Sequence, residues 1–268
     1  MKHKVLDLFS GIGGFSLGLE RTGGFETVAF CEIDKKAQLV LKKHWANVPI
    51  YEDIKALTND RLKTDGILPT VITAGFPCTD LSIGDQYNNK GLDGERSGLF
   101  FEITRLVCEI RPAYCILENV TTLLDNREFG RLLGEFSKVG NYVVEWHCIS
   151  AESIGAPHKR DRVWIVATKT KNQISDPMRK RLERCELAET HSKEFGCRWS
   201  RSFRSTSECS SLDGRNFWFA ESKLDRVAHG IPNRIHRIKQ LGNSLVPQIP
   251  EMIGNAILKN ERISNESK

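Results

Sequence analysis

The sequence predicts an α/β protein with a doubly wound, mainly parallel sheet, and three observations predict it. Short apolar runs alternate with segments of helical period between residues 5 and 168. Such alternation is typical of strands joined by helices that cover both faces of one sheet. The apolar runs end in glycine, in acidic residues or in a thiol, which α/β proteins place at the carboxyl edge of the sheet. A chain of 268 residues that is 40% hydrophobic can bury the core that this fold needs.

Each element is predicted from its local period and from the turn residues that end it. We expect strands at residues 5–9, 26–31, 71–74, 114–118, 142–149 and 162–168, and a short apolar run at 49–51. We expect helices at residues 15–22, 35–45, 97–110, 127–138 and 251–260. The tail from Asn260 onward is polar, so we expect it to fray.

The composition changes after residue 168 and divides the chain into three parts. Residues 169–215 are rich in Ser, Arg, Glu and Thr and show little strand or helix period. We therefore predict a first domain at 1–168, a small irregular lobe at 169–235, and a helical segment at 236–268 that returns to the first domain. Residues 151–240 hold 19 Lys and Arg against 11 Asp and Glu, interleaved with aromatic residues. Such a run is often a solvated face, but beside a reactive site it favours a polyanion partner.

Several classes of protein are disfavoured by the composition. No apolar stretch reaches the roughly 18 residues of a membrane helix, so we expect no membrane partner. The eight cysteines form no Cys-x-x-Cys pair, and Cys185, Cys197 and Cys209 with His191 match no zinc spacing. We therefore expect no metal. Free thiols and the lack of an apolar leader favour a cytoplasmic protein, which we expect to be a monomer.

The glycine-rich turn after the first strand suggests a nucleotide site. Gly11, Gly13 and Gly14 would let the backbone approach a ligand at the amino terminus of the following helix. Glu32 ends the second strand, where an acid can bind ribose hydroxyls, and Asp53 follows the next apolar run. The alternative interpretation is a tight turn with two acids that cap helices.

A thiol and a carboxyl end two further strands. Cys78 follows the run 71–74 and the rigid Pro77, and Glu118 ends the run 114–117. Most cysteines in apolar surroundings are small core residues, but this one follows a pre-set turn beside a glycine-rich loop. The two side chains together indicate nucleophilic catalysis with acid–base assistance.

These residues belong to a series of motifs that resembles the bacterial and phage DNA (cytosine-5)-methyltransferases. The motifs occur in the order of that family, from residue 5 to about 254, and only residues 169–230 lie outside them. They are Asp7-Leu8-Phe9-Ser10-Gly11-Ile12-Gly13-Gly14, Glu32, Asp53-Ile54, Gly75-Phe76-Pro77-Cys78, Ser97-Gly98-Leu99-Phe100, Glu118-Asn119-Val120, Arg160-Asp161-Arg162 and Gly242-Asn243-Ser244.

The resemblance implies a function and a set of catalytic residues. The fold would be the Rossmann-like fold of S-adenosylmethionine-dependent methyltransferases, with residues 169–235 as the target-recognition lobe. The Cys78 thiolate would add to carbon 6 of a cytosine flipped out of double-stranded DNA. Glu118, held as a proton donor, would hydrogen-bond ring nitrogen 3 and stabilise the adduct. Arg160, and secondarily Arg162, would hold the cytosine carbonyl and a nearby phosphate. The role would be in restriction-modification or phage protection.

The resemblance also implies a cofactor site for S-adenosylmethionine. The residues that would line it are Phe9, Gly11, Gly13, Gly14, Glu32, Ile33, Asp53, Ile54, Pro77, Leu99, Asn243 and Ser244. Two other functions remain open at this point: a tRNA cytosine-5 methyltransferase, and a DNA-binding homologue without activity. An NAD-linked thiol enzyme fits less well, because the glycine spacing differs from the dinucleotide fingerprint.

Overall fold

A computed structural model of the protein describes residues 1–77, 99–124, 127–156, 158–170 and 240–266. The strands are β1 His3–Leu8, β2 Phe25–Cys31, β3 Ile50–Tyr51, β4 Val71–Gly75, β5 Tyr114–Val120, β6 Tyr142–Ser150 and β7 Asp161–Lys169. The helices with at least six residues are α1 Gly14–Arg21, α2 Lys35–His44, α3 Asn59–Thr64, α4 Leu99–Ile110, α5 Arg127–Val139 and α6 Gln248–Glu266.

The strands form one seven-stranded sheet in the order β3-β2-β1-β4-β5-β7-β6. Strands β3, β2, β1, β4 and β5 are parallel neighbours, whereas β7 is antiparallel to both β5 and β6. The amino end of β7 therefore lies at the edge where the parallel strands end. This architecture confirms the predicted doubly wound, mainly parallel sheet.

Alternating side chains of the strands supply two cores, one on each face of the sheet. On one face, Leu6, Leu8 and Ile72 pack with apolar residues of α4 and α5 such as Phe100 and Phe136. On the other face, strand residues pack with apolar residues of α1 and α6; these are Val5, Val71, Ile116, Trp164, Phe15, Leu19, Ile249 and Ile257. Helices α1 and α6 thus cover the same side of the central strands.

Helix α1 and the start of α6 approach each other through glycine. A Cβ atom at Gly18 would lie 2.1 Å from the carbonyl oxygen of Pro247. That carbonyl accepts the amide N–H of Glu251 in the first turn of α6, at 3.1 Å. On the facing helix, a Cβ atom at Gly254 would lie 3.0 Å from Leu19. Glycine at these positions lets the two backbones pack closely, which fixes the segment that precedes α6.

The structure differs from the sequence prediction at two helices. Helix α3 was not predicted; it is only six residues long, with Leu62 as its buried side chain and Thr58 as its N-cap. The expectation that the chain frays from Asn260 was wrong, because α6 continues to Glu266. The carboxylate of Glu261 accepts a hydrogen bond from the Tyr114 hydroxyl at 2.9 Å and pairs with His3 at 3.0 Å. These contacts anchor the end of α6 to the amino edge of the sheet.

Within the described ranges, no helix combines the length and the apolar character required to cross a membrane.

The glycine contact between α1 and α6 predicts the effect of Gly18→Ala. The new methyl group would collide with the Pro247 carbonyl, so we expect a loss of about 1–3 kcal/mol in the free energy of unfolding. Gly130→Ala in α5 is the matched control, because its methyl group would meet nothing within 4 Å. Higher helix propensity should make that variant more stable by about 0.5–1 kcal/mol. Urea unfolding followed by circular dichroism measures both, and equal stabilisation of the two variants would contradict the contact.

Candidate active site

The carboxyl edge of the sheet begins with a turn of unusual backbone conformation. Phe9, Gly11 and Gly13 have positive φ angles of 51°, 54° and 86°. Gly13 could not carry a side chain, because a Cβ atom would lie 2.6 Å from the ring of Trp45. A Cβ atom at Gly11 would meet nothing within 4 Å, so the backbone of the turn faces open space. A ligand could therefore approach the main chain here closely.

Glu32 connects this turn to the end of β2. Its two carboxylate oxygens accept the amide N–H groups of Gly11, at 2.7 Å, and of Asp34, at 2.8 Å. A carboxylate offers about four acceptor positions, so capacity remains for two further donors such as ribose hydroxyls. Ile33, which lies between Glu32 and Asp34 in the chain, is 74% exposed. An apolar side chain this exposed, beside a buried carboxylate, offers a surface for the flat ring of a ligand.

Asp53 lies in the turn after β3, beside Glu32. The two strand ends are joined because the Glu32 amide donates to the carbonyl of Tyr51 at 2.9 Å. The Asp53 carboxylate is exposed and accepts the Lys55 amide at 2.9 Å, whereas its neighbour Ile54 is buried. Neither predicted acid caps a helix, because Asp34 caps α2 and Thr58 caps α3. The alternative interpretation of Glu32 and Asp53 as caps is therefore wrong.

Glu118 lies in an apolar part of the same edge. In the sheet it is opposite Gly75 of β4 and Trp164 of β7. A Cβ atom at Gly75 would lie 3.5 Å from its Oε2 atom, and Phe15 packs edge-on against Trp164 with ring centroids 5.5 Å apart. Only 12% of the Glu118 side chain is exposed. Burial raises the pKa of this carboxyl, and the nearby arginines Arg162 and Arg160 partly oppose that rise.

Arg162 contacts Glu118 from the start of β7, and Arg160 lies just before the same strand. Arg162 Nε lies 2.9 Å from Glu118 Oε1, which forms an ion pair without an aligned hydrogen bond. Arg160 Nη1 donates to the carbonyl of Gly242 at 2.8 Å. Burial lowers the pKa of Arg160, and the positive charge of Arg162 lowers it further. One guanidinium group, that of Arg162, therefore contacts the buried carboxyl, and the charge of Arg160 acts on it without a direct contact.

A cleft of about 930 Å³ opens beside these arginines. It is lined by residues 158–162 and by residues 241, 242 and 244–248. Two of its polar atoms, Arg160 Nε and Gln248 Oε1, are buried without a hydrogen-bond partner in the described part of the chain. Buried polar groups are normally paired, so this cleft is suited to a polar ligand.

The remaining predicted site residues occupy varied environments. Cys78 lies outside the described residues, and Pro77 before it is half-buried. Leu99 opens α4 and packs against the core. Asn243 is exposed, and the Ser244 hydroxyl donates to the carbonyl of Leu241 at 2.8 Å. Their segment reaches the end of β2, because Gln240 Nε2 donates to Asp34 Oδ2 at 2.7 Å.

Sequence reasoning missed the role of Asp7. This fully buried carboxylate accepts hydroxyl hydrogen bonds from Ser16 of α1 and Thr73 of β4, both at 2.8 Å. Burial raises its pKa to about 7. The two hydrogen bonds join α1 and β4 to β1 beneath the glycine turn. A charged residue within the apolar run 5–9 was the signal that could have revealed it.

In the part of the chain that the structure describes, no group of three or more His, Cys, Asp or Glu side chains could hold a metal ion.

Comparison with known proteins gives a family match over most of the chain. The family described as "C-5 cytosine-specific DNA methylase" matches residues 3–197. Type II methyltransferase M.Bsp6I of Bacillus sp. (strain RFL6) is 34% identical over 168 residues, which cover 61% of this chain and 51% of that protein. Type II methyltransferase M.AluI of Cellulosimicrobium cellulans is 34% identical over 209 residues, covering 73% and 38%. The chain spans about half the length, or less, of these curated relatives.

Solved structures resemble the fold. A putative DNA modification methyltransferase encoded within a prophage of E. coli has a TM-score of 0.53 at 26% identity, covering 66% of this chain and 50% of that one. The methyltransferase EhMeth of Entamoeba histolytica has a TM-score of 0.55 at 19% identity, covering 65% and 56%. The latter likeness concerns the fold only.

The environment of Glu118 predicts how Glu118→Gln changes stability with pH. Because its pKa is raised in the folded state, the folded protein binds this proton more tightly than the unfolded chain does. Its contribution to stability is therefore full below the ordinary glutamate pKa and is lost as the pH rises through the raised value. Glutamine cannot ionise, so the variant should gain stability relative to the wild type as the pH rises above the ordinary glutamate pKa and through the raised one.

Urea unfolding at several pH values measures this difference. Asp7 titrates in both proteins, so the difference between them isolates Glu118. Glu145→Gln on β6 is the control, because that side chain is exposed. A stability difference for Glu118→Gln that does not change with pH would contradict the assigned environment.

Proposed function

We propose that this chain, which belongs to the C-5 cytosine-specific DNA methylase family, transfers a methyl group from S-adenosylmethionine to carbon 5 of a cytosine in double-stranded DNA. The role would be in restriction-modification or phage protection. The observation that carries the proposal is the buried Glu118 carboxyl in contact with Arg162, at the sheet edge where the strand leading to Cys78 ends.

The residues at this edge suit the chemistry that cytosine requires. Carbon 5 of cytosine is a poor nucleophile, and addition to carbon 6 is needed to activate it. The Cys78 thiolate forms a bond to carbon 6, and the displaced electron pair is accommodated as ring nitrogen 3 takes the proton of Glu118. Carbon 5 then has the reactivity of an enamine. Once carbon 5 has taken the methyl group, loss of the carbon-5 proton, departure of the thiolate and return of the nitrogen-3 proton to Glu118 restore the aromatic ring.

Glu118 has the surroundings of a proton donor. A carboxyl among Gly75, Trp164 and Phe15 holds its proton at a higher pH than an exposed glutamate does. Arg162 fixes its Oε1 atom and stabilises the carboxylate that forms once the proton has been given up. Arg160 and Gln248 supply unpaired polar atoms to the adjacent cleft, where the cytosine carbonyl or a phosphate would bind.

The glycine turn and the acids beside it fit the proposed cofactor. S-adenosylmethionine supplies the methyl group as a sulfonium when it is bound. The open backbone at Gly11 would contact its methionine part, and the remaining acceptor capacity of Glu32 would bind the ribose hydroxyls. Ile33 would pack on the adenine, and the exposed Asp53 would accept its amino group. Phe9, Gly13, Gly14, Ile54, Pro77, Leu99, Asn243 and Ser244 would complete the pocket.

The substrate must present a cytosine outside the double helix. A thiol cannot reach carbon 6 of a stacked and paired base, so the base would be flipped out at a cost of a few kcal/mol. The basic and aromatic residues of the proposed recognition lobe at 169–235, nearly all outside the described residues, would offset part of this cost by binding DNA. A tRNA substrate and loss of activity remain the competing possibilities.

Methyl transfer distinguishes these possibilities. Purified protein is incubated with tritiated S-adenosylmethionine and either duplex DNA or tRNA. We expect label in DNA, and bisulfite sequencing of DNA from cells that express the chain would report the sequence that is methylated. Label found only in tRNA would show that tRNA is the substrate instead of DNA. Label found in neither nucleic acid, although the protein binds the cofactor, would favour a homologue without activity.

The nucleophile is tested by Cys78→Ser. We expect the variant to lose methylation while it binds S-adenosylmethionine with nearly unchanged affinity, because a serine hydroxyl is a far weaker nucleophile than a thiolate. Cys108→Ser is the matched control, since Cys108 is an exposed free thiol on α4. Duplex DNA with 5-fluorocytosine at the target should form a denaturant-stable conjugate with the control but not with Cys78→Ser. Methylation at a near wild-type rate in Cys78→Ser would exclude the assigned nucleophile.

A further inference from the structure

We infer that Arg105 is a positioning residue that holds the turn bearing Asp53 in the shape that recognises the adenine end of the cofactor. This inference rests on the proposed function, because it concerns the same ligand. Arg105 lies on α4 and is remote in sequence from Asp53 and Ile54. No motif in the sequence suggested a connection between this helix and the turn.

The guanidinium of Arg105 donates to two carbonyl groups of the turn. Its Nη2 atom lies 2.9 Å from the carbonyl oxygen of Ile54 and 2.9 Å from that of Leu57. The side chains of Ile54 and Leu57 are buried, at 4% and 2% exposed. The turn therefore packs on the core through these two side chains, while its backbone is held by α4. One arginine therefore fixes both ends of a four-residue segment that begins directly after Asp53.

Two carboxylates on the same helix orient the guanidinium. Glu102 accepts from Nε at 2.7 Å, and Glu109 accepts from Nη1 at 2.8 Å. These residues lie one turn before and one turn after Arg105, so all three side chains share one face of α4. A surface ion pair usually contributes little, but a planar fork held on both sides loses little freedom when it binds carbonyl groups.

The turn depends on these external donors because its own hydrogen bonds are long. The amides of Ala56 and Leu57 donate to the Asp53 carbonyl at 3.2 Å, and Leu57 donates to Ile54 at 3.3 Å. Short N–H···O bonds are closer to 2.9 Å. Beyond the turn, α4 holds the start of α3 as well, since Glu109 accepts the Asn59 amide at 3.0 Å and Asn59 Nδ2 donates to the Glu109 carbonyl at 2.8 Å.

The consequence for binding concerns one carboxylate. Asp53 is exposed, so its direction is set by the backbone that carries it and by its hydrogen bond to Lys55. A turn released from Arg105 would let that carboxylate adopt many directions, and binding would then require it to be ordered again. The loss should appear in the affinity for the adenine amino group and not in the chemistry at Glu118.

The test compares Arg105→Gln with the wild type by titration calorimetry, using S-adenosylhomocysteine and its analogue with hypoxanthine in place of adenine. Hypoxanthine lacks the amino group that Asp53 would accept. The wild type should bind the adenine ligand about tenfold more tightly than the analogue, a difference typical of one lost polar contact. Arg105→Gln should lose most of that preference, whereas a merely structural defect would weaken both ligands equally.

Kinetics and a control variant complete the experiment. Arg105→Gln should raise the KM for S-adenosylmethionine about tenfold and leave kcat at saturation within about twofold. Arg61→Gln is the control and should change neither quantity. It removes an arginine of helix α3 that pairs with Asp65 at 2.9 Å and whose side chain, in the described part of the chain, donates no hydrogen bond to residues 54–57. Arg105→Lys can reach a carbonyl but cannot form the fork, so it should lie between the wild type and Arg105→Gln.

The outcomes separate this inference from the proposed function. A wild type that binds and methylates, with an Arg105→Gln variant that keeps the full preference for adenine, would overturn the inference alone. A wild type that binds neither ligand would overturn the proposed function and the inference with it. Amide hydrogen exchange at residues 54–57 should be faster in Arg105→Gln than in Arg61→Gln, and equal exchange would also refute the role of Arg105.

Discussion

The reversed direction of β7 is the constraint on which the site depends. Antiparallel pairing with β5 brings the amino end of β7 to the edge where the parallel strands finish, and it places Trp164 opposite Glu118. Arg162, two residues earlier, then extends from the same face and meets the Glu118 carboxyl. A parallel strand at this position would have carried both side chains to the opposite edge of the sheet. The antiparallel direction of β7 therefore places both the apolar ring of Trp164 and the positive charge of Arg162 beside Glu118.

Burial and the nearby positive charges have opposite effects on the pKa of Glu118. Burial favours the protonated acid, whereas Arg162 and Arg160 favour the carboxylate, and burial has the larger effect on the pKa. Under the proposed function, burial would keep the proton on the acid, and Arg162 would stabilise the carboxylate that forms when the proton is given up. Arg160 experiences the same compromise, because burial and Arg162 lower its pKa while Glu118 raises it.

The sequence was sufficient for elements with a strong local signal and insufficient for those that depend on distant contacts. The sheet strands were predicted because their apolar runs are bounded by turn residues, and the order of the motifs indicated the edge at which Glu118 lies. Helix α3 has too few apolar residues to reveal a period, and the end of α6 is ordered by Tyr114 and His3, which are far away in sequence. The hydrogen bonds of Arg105 to the turn and the position of Trp164 opposite Glu118 are tertiary contacts, which no spacing in the sequence predicts.

The segment before α6 joins the two halves of the site. The Gln240 side chain donates a hydrogen bond to Asp34 just after β2, and the Gly242 carbonyl accepts one from Arg160. Leu245 packs on Gly14 of the glycine turn, since a Cβ atom at Gly14 would lie 3.0 Å from it. The contact of α6 with Gly18 and the anchor at Glu261 keep this segment in place from behind. The proposed cofactor end and the arginine cleft are therefore built on one short stretch of chain. A displacement of that stretch would alter both at once, so the carboxyl-terminal helix belongs to the site as much as the strands do.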